Sequence, residues 1–330
     1  MITNEIVGID VSKVKLDLYI LRKKYCFTVN NNTSGFNDLI DVCCTRLNCS
    51  PENLFFCFEN TGRYSRLLSF FLSEKNVQYA MVSALDVKKS KGLLRGKSDR
   101  KDAKMLAHYA KQRAEYLSAT KLQLPEVSQL RQLLNLRNKL LKHRTAYKSS
   151  LKDLLDIYRV GESDFIRGIQ HFMVDQITKE IKVVEQRMDD IIASIPGWSV
   201  NVKLIRSVKG IGPVLTRVLI ISTENFTRFS DPKKFASYVG IAPFEYSSGS
   251  SVNGRMRVHP CANKQIKCLL NIAAMSVIQY DGEYKSYYER RAKAGKNNMS
   301  TLNVIRNKLV HRVFAAVRNR KPYVDKTLIG

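Results

Sequence analysis

Four carboxylates in the first third of the chain have the types and spacing of a metal-assisted phosphoryl-transfer site. Asp10 ends one apolar run, and Glu59 ends a second run at residues 54–58. Asp99 and Asp102 are three residues apart, which places both on one face if the segment is helical. Clustered carboxylates hold Mg²⁺, or Mn²⁺ in its place, and such ions activate a nucleophile and stabilise a leaving oxygen.

The elements around these acids predict a mixed α/β domain over residues 1–118. Three strands are expected within residues 5–30, followed by a helix capped by Thr33 or Ser34 and a strand at 54–58. A helix near 64–74, a strand at 77–82 and a basic helical stretch to about residue 115 complete the alternation. Singly, each acid also fits a turn, a strand end or a helix cap. Their joint order favours an RNase H-like nuclease site.

Two long amphipathic helices are predicted for residues 119–196. Apolar residues recur at helical spacing on both sides of a break at residues 161–168, and charged residues fill the other positions. This pattern fits a coiled-coil arm that supports assembly, and it equally fits a plain two-helix core element. The last region, residues 197–330, is predicted to be mainly helical apart from a Gly/Ser-rich loop at 245–254, the serine loop.

The charge of the chain indicates a polyanionic partner. The 330 residues include 55 basic and 29 acidic side chains, a formal net charge of +26. Residues 88–113 hold ten basic residues, and residues 198–330 carry a net +16. Nucleic acid is the leading partner and a membrane surface the competing one. The expected contacts flank the acids and the serine loop: Lys97, Arg100, Lys101, Arg255 and Arg257.

Other features narrow the class of protein further. No apolar run reaches the length of a membrane span, and charges in the first twenty residues argue against a secretory signal. Seven cysteines without paired spacing suggest reduced thiols in a cytosol. His259 and Cys261, even with Cys268, do not make a zinc framework.

A glycine turn at residues 209–213 resembles a helix-hairpin-helix. Lys209, Gly210 and Gly212 precede an apolar helix, and such glycines let backbone N–H groups approach a DNA phosphate. A simple tight turn is the alternative. The serine loop that follows would, on spacing alone, be an ordinary flexible loop.

The order of these motifs resembles the DEDD transposases of the insertion-sequence-110 family, which include Piv-type DNA invertases. The resemblance covers nearly the whole chain. The matching segments are Gly8-Ile9-Asp10 with Lys13, Glu59-x-Thr61-Gly62, Ser98-Asp99-x-x-Asp102-Ala103, Gly210-Ile211-Gly212, Tyr238-Val239-Gly240-Ile241-Ala242-Pro243, Ser248-Gly249 and Ala273-Ala274. One segment departs from the pattern, because His259-Pro260-Cys261-Ala262 stands where many members have Ser-Lys-x-Gly.

The resemblance implies a RuvC-like, RNase H-fold domain in which Asp10, Glu59, Asp99 and Asp102 bind Mg²⁺. It also implies a C-terminal transposase domain in which Ser248 attacks DNA; the neighbouring Ser247, Ser250 and Ser251 stay open as alternatives. Expected partners are donor and target double-stranded DNA, a structured non-coding guide RNA, and further copies of the chain, from a dimer to a tetramer.

The sequence therefore predicts a guided DNA recombinase with a serine nucleophile. Three alternatives stay open: a junction-resolvase-like nuclease that uses water, a DNA invertase that needs no RNA, and a basic nucleic-acid-binding protein with a decayed site. The retention of all four acids and the serine argues against decay.

Overall fold

A computed structural model of the chain describes residues 5–90, 99–120, 124–157, 163–242, 247–248, 252–253 and 262–324. The chain divides into two compact units, Met1–Gln123 and Leu124–Gly330. The three-part division expected from the sequence stays a prediction.

The first unit contains a five-stranded mixed sheet with the order β3-β2-β1-β4-β5. β1 is antiparallel to β2, β2 is antiparallel to β3, and β1, β4 and β5 are parallel. Apolar residues enter both faces of the central strands, which is typical of a sheet covered on both sides. The strands are β1 (Glu5–Val11), β2 (Lys15–Ile20), β3 (Tyr25–Asn30), β4 (Leu54–Glu59) and β5 (Gln78–Val82).

Helices cover the two faces of this sheet. α1 (Thr33–Leu47) and α2 (Arg63–Glu74) contribute to the core on one face, while α3 (Ala84–Ser90) and α4 (Asp99–Gln112) cover the other. α1 is capped by Asn32, whose side chain accepts a hydrogen bond from the Gly35 amide, and not by Thr33 or Ser34. The cap is one residue earlier because Asn32 has extended backbone angles and an acceptor oxygen that reaches into the first turn.

The second unit begins with two long antiparallel helices, α5 (Pro125–Ile157) and α6 (Ser163–Ser194). Cross-helix hydrogen bonds define their antiparallel register: Gln170 bonds to Ser150, and Arg137 bonds to Glu185. The ends of α5 and α6 near residues 127–130 and 184–192 enter the core of the following helices. The predicted two-helix element is confirmed, and its base belongs to the C-terminal core.

In the described part of the second unit, six helices follow: α7 (Trp198–Arg206), α8 (Pro213–Thr223), α9 (Pro232–Val239), α10 (Lys264–Tyr280), α11 (Gly282–Lys293) and α12 (Asn298–Asn319). Their apolar faces form the largest core cluster of the chain. The serine loop lies between α9 and α10. It contains two short strands that pair with each other, β6 (Ser247–Ser248) and β7 (Val252–Asn253).

Two further expectations concern membranes and thiols. Among the helices that the structure describes, none is both long and apolar enough to cross a lipid bilayer. Six described cysteines carry free thiols: Cys26, Cys43, Cys44, Cys49, Cys57 and Cys268. Cys261, like His259, lies outside the described residues.

Candidate active site

Asp10 and Glu59 lie side by side at the carboxyl ends of two parallel strands. The register pairs Ile9 of β1 with Phe58 of β4, so the next residues along each strand are Asp10 and Glu59. Adjacent strands are about 4.8 Å apart, and side chains two residues apart share a face. Both acids therefore lie on the face of the sheet that α4 covers, and both are half-buried.

A close approach between α4 and β1 places Asp102 next to the strand that carries Asp10. A Cβ atom at Gly8 would lie 2.1 Å from the carbonyl oxygen of Ala103 and 2.5 Å from the amide nitrogen of Ala107. Only glycine permits this contact, so the helix backbone lies directly against the strand. Asp102 immediately precedes Ala103, and it is therefore held beside the strand that carries Asp10. Asp99 begins the helix; its side chain lies outside the described part of the chain.

A further acid, Asp17, lies next to this group and was missed by the sequence analysis. It pairs with Asp10 across β1 and β2 and is only 4% exposed. Its carboxylate accepts a hydrogen bond from Thr28 Oγ1 at 2.7 Å and lies 2.9 Å from Lys15 Nζ. The negative charge of Asp17 is therefore already balanced by Lys15 within the sheet. The available signal was an acid within the apolar stretch that follows Lys15 in β2.

Glu59 has a buried thiol two residues before it in the chain and a buried hydroxyl two residues after it. Cys57, on the same face of β4, is buried, and burial followed by the charge of Glu59 raises the pKa of its thiol to about 12. Beyond the strand, the Thr61 amide donates to the Glu59 carbonyl oxygen at 3.0 Å. The Thr61 hydroxyl oxygen is buried, and it has no hydrogen-bond partner among the residues described.

Asp10 and Glu59 fit a divalent-cation site for two reasons. They are neighbours at the strand ends, and carboxylate oxygens are the ligands that Mg²⁺ prefers. Within the described side chains, no group of three or more histidine, cysteine or acidic residues converges as a complete metal site. The set proposed from the sequence includes Asp99, whose side chain falls outside that part. The fold thus places Asp10 beside Glu59 and holds Asp102 next to the contact between α4 and β1, and their joint binding of an ion stays a prediction.

The predicted nucleophile lies in the second unit. Ser248 belongs to the two-residue strand β6 and pairs with Val252, whereas Ser250 and Ser251 lie outside the described residues, as do Lys97, Arg255 and Arg257. Arg100 and Lys101 are exposed in the first turn of α4, next to Asp102. Their exposure leaves them accessible to a phosphate, and the contact itself stays a prediction.

The glycine turn between α7 and α8 packs against α10. Gly210 has φ +82°, and a Cβ atom there would lie 2.3 Å from Val277 Cγ1. Lys209 pairs with Asp281 at 3.4 Å. Gly212, by contrast, caps α8 and has open space where a side chain would be. Gly210 is therefore required by the packing of the turn against α10, whereas Gly212 leaves the start of α8 accessible.

The sheet order and the strand-end acids define the class: a mixed α/β domain compatible with a RuvC-like fold, joined to a mainly helical unit. Residues 7–160 match the IS110 DEDD family described as "Transposase", and residues 202–289 match the "Transposase IS116/IS110/IS902 family". The chain belongs to the IS110 family of transposases, which are DNA recombination enzymes.

Individual relatives agree with this assignment. The chain is 26% identical to the pilin gene-inverting proteins of Moraxella bovis and Moraxella lacunata, and each match covers 98% of both chains. It is 23% identical to the putative transposase y4qE of Sinorhizobium fredii over 80% of this chain and 69% of the relative.

Proposed function

We propose that this chain cuts and rejoins DNA through a covalent phosphoserine at Ser248, assisted by a RuvC-like acidic site. The observation that carries the proposal is the adjacency of Asp10 and Glu59 beneath the start of α4. In the cutting step, Ser248 Oγ forms a bond to phosphorus, the bond from phosphorus to a deoxyribose oxygen breaks, and that oxygen takes the serine proton. The reverse step rejoins DNA, so the bond energy is conserved without a further energy source.

Each acid has a place in this scheme. Mg²⁺, or Mn²⁺ in its place, would be held by Asp10, Glu59, Asp99 and Asp102 and would supply positive charge at the scissile phosphate. Asp17, paired with Lys15 and bonded to Thr28, orders the strand beside Asp10.

A trapped protein–DNA adduct tests the nucleophile. DNA carrying a recombination site is incubated with Mn²⁺ and the full chain, and the adduct is resolved by denaturing electrophoresis. Wild type and Ser247→Ala are expected to form the adduct, and Ser248→Ala is not. An adduct that persists in Ser248→Ala and disappears in Ser247→Ala would assign the reaction to the neighbouring serine.

Paired substitutions test the acidic site. Asp10→Asn is expected to lower the rate of adduct formation by at least about 100-fold, because a charged ligand of the ion that would stabilise the scissile phosphate is removed. Asp41→Asn changes an exposed acid of α1, on the other face of the sheet, and should leave the rate unchanged. Loss of thermal stability in Asp10→Asn without loss of rate would make Asp10 a structural residue.

Guidance by a structured RNA is part of the proposal, and recombination without RNA is the second candidate. The second candidate is favoured by the relatives named for pilin gene inversion, which match over 98% of the chain. Recombination of a two-site plasmid by protein treated with ribonuclease discriminates between them. Activity that is lost on treatment and restored by the RNA transcribed beside the gene supports guidance, whereas unchanged activity supports the RNA-independent invertase.

Water as the nucleophile defines the third candidate, a junction-resolvase-like nuclease. It predicts cleaved DNA without a covalent adduct in the same electrophoresis assay. A decayed site predicts neither product when RNA, DNA and Mn²⁺ are all supplied.

Assembly into a dimer or tetramer is proposed through α5 and α6. Apolar side chains are exposed near the start of α6, at a spacing that places them along the helix: Phe165, Ile166, Ile169 and Phe172. Light scattering of the full chain is expected to show a dimer or larger. Ile169→Glu should reduce the mass to that of a monomer, whereas Glu180→Gln, a change at an exposed polar position of the same helix, should not.

A further inference from the structure

A polar cavity lies in the second unit, between α5 and the first turn of α10. Its volume is about 300 Å³, at the lower end of the range of cavities that hold small ligands. The walls are formed by α5, by α8 and the turn after it, by α9 and by the start of α10. The lining residues belong to the described part of the chain and include Arg131, Ser222, Arg228, Tyr238, Asn263 and Gln265. We call this space the arginine cavity.

Two guanidinium groups line the arginine cavity from different elements. Arg131 of α5 pairs with Glu224 at 2.8 Å, and its side chain is 35% exposed. Arg228, in the turn between α8 and α9, is exposed. Its guanidinium lies over the rings of Phe229 and Tyr238, at 5.1 and 5.3 Å from their centroids. Both cations are therefore accessible to a ligand that enters from solvent.

The two arginines are close enough to influence each other. Burial is the main cause that lowers the pKa of the Arg131 guanidinium, Glu224 opposes this effect, and the charge of Arg228 adds to it. Two like charges at one cavity repel each other, and an anion bound between them relieves the repulsion. The arginine cavity therefore favours an anionic ligand.

The lining of the cavity fits a phosphate group with its sugar. A guanidinium donates paired hydrogen bonds to phosphate oxygens, a geometry that lysine cannot reproduce. Contact with an aromatic ring engages the face of a guanidinium and leaves the N–H donors at its edge available, which applies to Arg228. Asn135 and Ser222 add neutral hydrogen-bonding groups to the same space. A cavity of this volume admits one nucleotide of a strand and not the width of a duplex.

The arginine cavity lies at the two ends of the chain segment that contains Ser248. The Asn263 amide donates to the Tyr238 carbonyl oxygen at 3.0 Å, and Asn263 Nδ2 donates to the Tyr238 hydroxyl oxygen at 3.2 Å. Both residues line the cavity, and the segment between them, 239–262, includes Ser248. The cavity itself is built from the helices and turns on which this segment begins and ends.

We propose that the arginine cavity binds a phosphodiester group of DNA between Arg131 and Arg228, next to the ends of the segment that contains Ser248. The inference rests on the proposed function in taking DNA as the ligand. It requires neither the serine chemistry nor the metal ion, because it concerns binding alone.

DNA affinity provides the first test. A labelled duplex of about 20 base pairs is titrated with the full chain in EDTA, where no cutting occurs, between about 50 and 200 mM salt. Arg228→Gln is expected to bind about tenfold more weakly, and the slope of log affinity against log salt should fall by about one. Arg228→Lys should retain the slope and lose part of the affinity. Arg187→Gln removes the same charge from an exposed position of α6 and should stay within about twofold of wild type.

Filling the cavity provides the second test. Asn135→Trp places a large ring at an exposed position of the lining and removes no charge. It should weaken DNA binding and lower the salt slope as Arg228→Gln does, because the phosphate no longer reaches the arginines. Gln132→Trp, at an exposed position of α5 outside the lining, is the matched control and should bind normally. Wild-type affinity in Asn135→Trp, or equal losses in Arg228→Gln and Arg187→Gln, would overturn the proposal.

The melting temperature without DNA separates a ligand site from a structural one. Arg228→Gln and Asn135→Trp both change exposed positions and should keep the melting temperature of wild type. A clearly lower value for Arg228→Gln would overturn the proposal, because the arginine would then pair with an anion of the protein itself. A loss of affinity confined to RNA of the same length would also overturn it. Ser248→Ala should bind the duplex normally, so the result for the cavity stands even if no covalent adduct forms.

Discussion

The contact between Gly8 and α4 predicts that Gly8→Ala lowers both stability and activity, and the distances at the contact give the size of each loss. In Gly8→Ala, the new Cβ atom would lie 2.1 Å from the Ala103 oxygen, whereas real contacts are longer than 3.0 Å. The helix must therefore retreat by about 1 Å, at a cost of about 1–3 kcal/mol for an overpacked site. Because Asp102 is the neighbour of Ala103, the displacement moves this acid away from Asp10.

The functional effect should exceed the loss of stability. A displacement of about 1 Å in a reacting group lowers a rate by about 100-fold, so adduct formation at saturating Mn²⁺ should fall by that factor in folded Gly8→Ala protein. The rates are measured well below the melting temperature of the least stable variant. Mn²⁺ affinity, followed by isothermal titration calorimetry, should weaken in parallel.

Gly35→Ala is the matched control. A Cβ atom there would lie 2.1 Å from the Asn30 carbonyl oxygen, which is the same overlap at the start of α1. It should lower the melting temperature as Gly8→Ala does and leave the adduct rate within about threefold of wild type. If folded Gly8→Ala protein keeps the wild-type rate, or if both variants lose it equally, the position of α4 on β1 does not control the acidic site.

Three further predictions concern packing and ionisation. Arg217→Leu should destabilise the second unit by about 2–3 kcal/mol in thermal denaturation, since it leaves Asp189 of α6 without its partner and leaves Glu185 with Arg137 alone. Cys57 should stay unreactive toward a thiol reagent at pH 8 while the exposed Cys268 reacts. Stability should also fall as pH rises from about 9 toward 12, because the unfolded thiol loses its proton first, and Cys57→Ala should reduce that fall. Gly210→Ala should cost about 2–3 kcal/mol through its positive φ and its overlap with α10, whereas Gly212→Ala should cost about 1 kcal/mol or less.

The strands and most helices were predictable because their signals are local. The run at residues 54–58 and the alternation after Asp10 indicate buried strands, and the heptad-like spacing after residue 125 indicates long helices. The helix cap was misplaced by one residue because Thr33, Ser34 and Asn32 are all good capping residues. Backbone angles, which the residue types do not reveal, select Asn32.

The segment around Asp17 shows an acid inside an apolar strand, but it does not show that this acid lies beside Asp10. An acid within an apolar strand gains its meaning from the strand beside it, and the pairing of Asp17 with Asp10 depends on the register of β1 and β2. The burial of Arg306 is likewise a property of packing. In the sequence, Arg306 is one basic residue among 55, and its burial depends on how α12 meets its neighbours.

The sequence by itself determined the family, the order of the candidate acids and the serine, and the excess of positive charge, because these depend on residue types and their order along the chain. Only the tertiary structure decided which acids are neighbours, why Gly8 must be glycine, and which arginine of the last helix is buried. These features arise when segments distant in sequence pack within a few ångströms, where strand register and backbone contact determine the chemistry available.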